Sequence, residues 1–466
     1  MTVVQFRWLA RASQRKSTRK IGLKCAAMAV GLMLAQLTLT AQDRNILPAK
    51  NPAGVAATMT TSGTFDFNNP FFKSLGTNGR ACVTCHQPTE GWGVSAAGVQ
   101  KRFKQSKGTD PIFRPVDGAN CPTNARPGDA VAFSQLLNKG LLRIDMPVPA
   151  NAEFTIQVTA DPYNCSKPTD ISVYRRPLPA TNLKFLSAVM WDGRETAPGK
   201  SIADDLTQQA IDATLGHAQA AAAPDEATAQ AIRDFEINLF TAQVLDKRAG
   251  VLFADGANGG PIALSQQAFF LGINDPLGGN PTGAAFDQNV FSLFSAWANS
   301  RKGDKDEQEA RASIARGEQL FNTLVIPISG VAGLNDATGQ PVIMGTCGTC
   351  HNTPNVGDHS LSVPLNIGVT DASRRTADQP LFTLINKVTG ERVQTTDPGR
   401  AMISGKWSDV GKFKGPVLRG LAARAPYFHN GSAATLPDVV NFYNDRFNIG
   451  MTEQQKADLA AFLRSL

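Results

Sequence analysis

Histidine is scarce in this chain, with 5 among 466 residues, so few side chains are available to complete any metal site. Charged residues are only 18% and hydrophobic ones 42%, a globular balance that excludes a disordered or collagen-like chain. Acidic residues are absent from residues 1–41, which carry Arg7, Arg11, Arg15, Lys16, Arg19, Lys20 and Lys24. That segment accounts for the whole formal charge of +7. The remainder is neutral, so nucleic acid is excluded as a partner on electrostatic grounds. Beyond residue 41 no run is long and apolar enough to span a bilayer. The basic stretch to Lys24, the apolar stretch Ala26 to Leu39 and the small residues at Thr40-Ala41 read as a secretory signal over 1–41. Left uncleaved, it is the one membrane tie the sequence offers. Gly22-Leu23-Lys24 makes a poor lipobox, so Cys25 is a bystander.

Six cysteines remain after residue 41. Four fall in Cys82-Val83-Thr84-Cys85-His86 and Cys347-Gly348-Thr349-Cys350-His351. Two cysteines at this spacing each form a thioether to a haem vinyl group, and the adjacent histidine ligates the iron. A zinc site needs two further local ligands, which neither motif has, and a thioredoxin-like pair does not explain the following histidine. Two covalently bound haem c groups are therefore expected. Cys121 and Cys165 are left over and pair in an oxidising compartment, a bridge worth about 4 kcal/mol by chain entropy.

The expected fold is mainly α: two cytochrome c-like haem domains, with an irregular, partly β insertion in the first. The first domain covers 42–250, with the insertion at about 106–180. Residues 251–304, rich in Gly, Asn and Pro, read as a linker, and 305–466 as the second domain. In the insertion, Ala152 to Ala160 alternates as a strand does. Ile232, Phe235, Leu239 and Ala242 lie on one helical face. Residues 306–322 read as a helix with Ile314, Gly317 and Phe321 on one side. The last helix opens with a Thr452–Gln455 capping box and buries Leu459, Phe462, Leu463 and Leu466.

Three further stretches carry a family resemblance: Val189-Met190-Trp191-Asp192-Gly193-Arg194, Phe413 to Arg419, and Ala425-Pro426-Tyr427-Phe428-His429-Asn430-Gly431-Ser432 with Thr435-Leu436. The chain resembles the bacterial dihaem cytochrome c peroxidases and the related MauG-type enzymes. The resemblance implies a periplasmic oxidoreductase that reduces hydrogen peroxide at the first haem, with the second as electron store, or that uses peroxide to oxidise a partner. The implied partners are a periplasmic cytochrome or cupredoxin, or an oxidisable protein. Trp191 would sit between the haems. The distal ligand of the second haem falls fourteen residues past the motif histidine, here Tyr443; a phenolate favours ferric and higher states. Met402 and Met451 are alternatives. His429 itself supports packing, and His359 reads as a loop residue.

The first haem departs from the peroxidase pattern, because no histidine lies between His86 and His217 to close its iron. His217 takes the family position of a distal glutamate and is the candidate acid/base, since imidazole titrates near neutral pH. It is alternatively an iron ligand or a surface residue. Gln209 is a candidate distal hydrogen-bond donor. Arg194, Arg400 and Arg419 are candidates for haem propionates. The family often holds Ca²⁺ between its domains; Pro426 matches that site, but Arg424 stands where threonine is expected, which counts against calcium. Two other functions stay open: a pure electron-transfer protein, and a dioxygen-using haem oxygenase whose substrate pocket the insertion shapes.

Overall fold

Around the second haem motif two helices cross at a glycine. Asp304 caps the helix Lys305–Thr323 by accepting from the Glu307 amide at 2.9 Å. Thr452 and Gln455 form the expected capping box on Glu453–Ser465, with contacts of 3.2 and 2.9 Å. Ile314, Phe321, Leu459, Phe462, Leu463 and Leu466 are buried in one core between them. A Cβ on Gly317 would stand 2.1 Å from the Asp458 carbonyl oxygen and 2.6 Å from the Phe462 Cβ, so only glycine permits this approach. Gly317→Ala is expected to cost about 1–3 kcal/mol, read as a lower denaturation midpoint of the haem-loaded protein.

The computed structural model describes residues 44–466, and the expected signal at 1–41 with Cys25 lies outside them. Asn45–Leu466 form one compact unit. Of the stretch read as a linker, Val290, Phe291, Leu293, Phe294 and Trp297 are buried in the same core as Phe321 and Phe462. No described helix is long and apolar enough to cross a membrane.

Strands are more widespread than expected, and they are not confined to the insertion. Ile46–Asn51, Gly54–Thr60, Leu239–Asp246 and Gly250–Val251 form one antiparallel sheet in that order. This corrects the single helical face expected through Leu239 and Ala242. The helix Glu226–Ile237 ends at Asn238, and the chain enters a strand. Leu239 and Ala242 are buried there as they would be on a helix. A fully buried strand and a buried helix face present similar apolar patterns over so short a run.

Within the insertion the expected strand appears at Phe154–Ala160. It pairs antiparallel with Leu381–Asn386 from the second half of the chain. Phe154, Ile156, Phe382, Leu384, Met146 and Met402 fill the core beneath. The expected disulfide Cys121–Cys165 is formed.

Candidate functional site: two cavities, each built on a Cys-x-x-Cys-His turn

The two motifs fold alike because their sequences repeat the same devices. In each, the threonine between the cysteines accepts the backbone N–H of the residue before the first cysteine: Thr84 from Ala81 at 3.0 Å, Thr349 from Thr346 at 2.9 Å. In each, the histidine Nδ1–H donates to a carbonyl six residues on: His86 to Trp92 at 3.1 Å, His351 to Gly357 at 2.8 Å. Both acceptors have positive φ, 60° at Trp92 and 72° at Gly357. For a bulky residue such as Trp92 this backbone is costly, and the indole pays part of it by donating from Nε1 to Thr58 Oγ1 at 2.7 Å. The effect is to leave each Nε2 free for a metal and to fix the ring. Burial depresses His86 to about 4 and also lowers His351, which keeps both imidazoles neutral, the form that ligates.

Each motif opens on a mostly apolar cavity. Cys82, Cys85 and His86 line the first; Cys347, Cys350 and His351 line the second. None of the four cysteines is in a disulfide. Two such cysteines and an oriented neutral imidazole on the wall of a mostly apolar cavity fit haem c.

The sequence-derived site residues gather at these cavities. Gln209 and His217 line the first, from the helix Ile202–Gly216 and its C-terminal cap. Tyr443 and Met451 line the second. Met402 lies elsewhere, in the core under the insertion, too far into that core to serve as a ligand. Tyr443 sits near Cys347 and Cys350, and burial pushes its phenol up. Trp191 lines both cavities. Its Nε1–H donates to the Arg176 carbonyl at 2.8 Å, and its own carbonyl accepts from the Lys414 amide at 2.7 Å. Below it Asp192 is fully buried and pairs with Arg175 at 2.5 Å and Arg194 at 3.1 Å. Arg175 continues to Asp397 at 2.7 Å. Of the propionate candidates, Arg194 lines the first cavity. Arg400 is spent on the carbonyls of Asp192 and Gly193, each at 3.0 Å. Arg419 is buried, with Nε and one terminal nitrogen unpartnered.

Several groups escaped the sequence reading. His359 lies in a loop, as expected, but not on the surface. It is buried, lines the second cavity and donates to the Cys350 carbonyl at 2.9 Å. His429 also lines that cavity, stacked on Phe413 at 4.0 Å. Lys414 lines the same cavity. Glu236 lines the first cavity without a charged neighbour, and burial alone pushes its carboxyl up to about 8. Asp117, in the insertion, accepts from His217 Nδ1 at 2.5 Å. Its Pro-Val-Asp-Gly turn carries no signal of this in the sequence.

The place expected for calcium is taken. The Arg424 carbonyl accepts from Arg176 at 2.7 Å, and Arg176 also donates to the carbonyls of Val94 at 2.6 Å and Lys139 at 3.2 Å. The Arg424 guanidinium donates to the Val417 and Arg419 carbonyls at 3.0 and 2.6 Å. Among the described residues no group of three His, Cys, Asp or Glu is placed to hold a metal ion. Two buried guanidiniums on these carbonyls count against calcium there, as Arg424 does in the sequence.

Comparison with known proteins agrees with this geometry. The family described as RoxA-like, cytochrome c-like, matches residues 412–449, the stretch holding Phe413, His429 and Tyr443. "Cytochrome-c peroxidase IdrP1" of Denitromonas iodatirespirans is 31% identical over 39% of this chain and 48% of its own length. "Methylamine utilization protein MauG" of Paracoccus denitrificans is 26% identical over 56% of this chain and 55% of its own. "Cytochrome c551 peroxidase" of Nitrosomonas europaea is 29% identical over 32% and 42%. The chain thus spans about half the length of the curated relatives it matches. Together with the paired Cys-x-x-Cys-His turns, these similarities support a likeness to the cytochrome-c peroxidases and MauG.

Proposed function

We propose that this protein is a periplasmic dihaem oxidoreductase that reduces hydrogen peroxide at the first cavity, with the second group as electron store. The observation that carries this is an asymmetry. The first cavity presents Gln209 from a helix and His217 from its C-terminal cap, whereas the second presents the Tyr443 phenol beside Cys347 and Cys350. When bound, haem c supplies reversible one-electron iron chemistry and a coordination site for an oxidant. The chain's own residues do the rest. His86 and His351 are held neutral and oriented by carbonyls. His217 takes the proton from one peroxide oxygen and returns it to the other, which departs as water. Gln209 orients the peroxide. Trp191, on the wall of both cavities, provides the aromatic bridge between them. Two electrons and two protons convert each peroxide to two waters. The electrons come from a small periplasmic cytochrome or cupredoxin, or from a protein that is itself oxidised.

EPR of the ferric, haem-loaded protein tests this. One high-spin and one low-spin signal are expected, with cyanide converting only the high-spin one. Two low-spin signals unaffected by cyanide would instead select a pure electron carrier.

A second reading draws on the insertion, whose Leu142 and Ile144 line the first cavity. They offer an apolar wall suited to a dioxygen-dependent oxidation of an apolar substrate. Oxygen uptake with such a substrate and no peroxide would favour it.

A further inference from the structure

His217 does not stand alone in the first cavity. It caps the helix Ile202–Gly216, its amide bonded to the Ala213 carbonyl at 2.9 Å. Its ring is half exposed, and its Nδ1 lies 2.5 Å from Asp117 Oδ2. The other Asp117 oxygen pairs with Arg80. Both Arg80 and Asp117 are buried, at 2% and 4% exposure. Arg80 spends its remaining donors on the Pro111 carbonyl at 2.8 Å, the Ile112 carbonyl at 2.9 Å and the His217 carbonyl at 3.3 Å. One arginine, two residues before Cys82, therefore ties the haem turn, the insertion and the backbone of His217 together. Gly118 completes the fit: a Cβ there would meet the Ile112 carbonyl oxygen at 2.5 Å and Arg80 at 3.3 Å.

We propose that Asp117 is a positioning residue that fixes the tautomer and aim of His217, with Arg80 as the counter-charge that keeps the carboxylate ionised. The proposal rests on His217 as the acid/base of the first cavity. An ionised carboxylate only accepts hydrogen bonds, so Nδ1 must carry the ring proton. In the neutral ring this leaves the Nε2 lone pair as the base. The ring cannot turn over without losing its partner. Burial opposes ionisation of Asp117, but its bonds to His217 and Arg80 outweigh it and hold the carboxyl below its ordinary value. The insertion thereby contributes to the reaction centre through Asp117 and not only through the cavity wall.

The test uses the full-length, haem-loaded protein and two reactions. Peroxide reduction needs proton transfer; carbon monoxide binding to the reduced protein needs none. In Asp117→Asn the amide can donate to Nδ1 and move the proton to Nε2. The peroxide rate is then expected to fall about 10²-fold, with carbon monoxide binding within twofold of wild type. Asp117→Glu keeps a charged acceptor and is expected to slow peroxide only threefold to tenfold. A packing role would give the reverse order, since asparagine is the better steric match. Asp117→Asn combined with His217→Ala is expected to react no more slowly than His217→Ala alone. A peroxide rate within threefold of wild type in Asp117→Asn, with His217→Ala strongly impaired, overturns the positioning role while leaving His217 in place. An unchanged rate in His217→Ala removes the acid/base reading itself. If Asp117→Asn takes up no haem, Asp117→Ala decides: it removes the acceptor altogether, and an unchanged peroxide rate there overturns the proposal.

Discussion

His217→Ala is expected to slow the reaction of the ferric protein with hydrogen peroxide by about 10²-fold or more. That is about 2.7 kcal/mol on the barrier, a size typical of losing one proton-transfer group. The measurement is the second-order rate of the spectral change on mixing with peroxide. The direction of the change separates three roles for this residue. An acid/base that is lost slows the reaction and leaves the spin state of the ferric protein unaltered. A lost iron ligand frees a coordination position, so the variant would gain a high-spin signal and react faster. A surface residue changes nothing. The Asp117 contact at 2.5 Å and the place of His217 on the cavity wall count against the third outcome, and the spin state separates the first two. Exogenous imidazole should recover part of the rate in the alanine variant, since the deletion leaves space where the ring stood.

The two Cys-x-x-Cys-His turns were legible because their signal is local: two cysteines and a histidine within five residues are read without tertiary information. The helices Lys305–Thr323 and Glu453–Ser465 were legible for a similar reason, since caps and apolar stripes are short-range signals. Trp191, Gln209 and Tyr443 came from the resemblance, not from periodicity or spacing. What escaped depends on contacts between distant segments. Asp117 reaches His217 across 100 positions, and the strand Phe154–Ala160 finds Leu381–Asn386 across more than 200. The strand Leu239–Asp246 was missed because both of its faces are covered, which removes the alternation that marks a half-buried strand. His359 is the loop residue expected, but its burial escaped because its partner is a backbone carbonyl, which leaves no trace in the sequence.

Arg175→Met is expected to destabilise the haem-loaded protein by about 3–5 kcal/mol at pH 7. Arg175 is the shared cation of two buried carboxylates, Asp192 and Asp397, and methionine fills its space without its charge. Burial works against ionisation of Asp192, but Arg175 and Arg194 outweigh it and hold the carboxyl at about 2. A carboxyl depressed from its ordinary value near 3.9 stabilises the fold above that pH and loses this contribution as pH falls toward 2. The contribution of that shift is about 2 kcal/mol. In the variant the balance reverses, because burial of an under-compensated carboxylate favours the protonated form. The deficit against wild type should therefore be largest at neutral pH and shrink on acidification toward pH 4. Denaturant titrations at the two pH values measure it, and a deficit that is constant or grows on acidification would refute the ion-pair account. The loss should also reach function. Asp192 follows Trp191 directly, and Arg175 lines the first cavity and lies 5.5 Å from the centre of the Phe413 ring, on which His429 of the second cavity is stacked. Loss of Arg175 loosens Asp192, next to the tryptophan that lines both cavities, so electron exchange between haems bound there should slow in the same variant that loses stability.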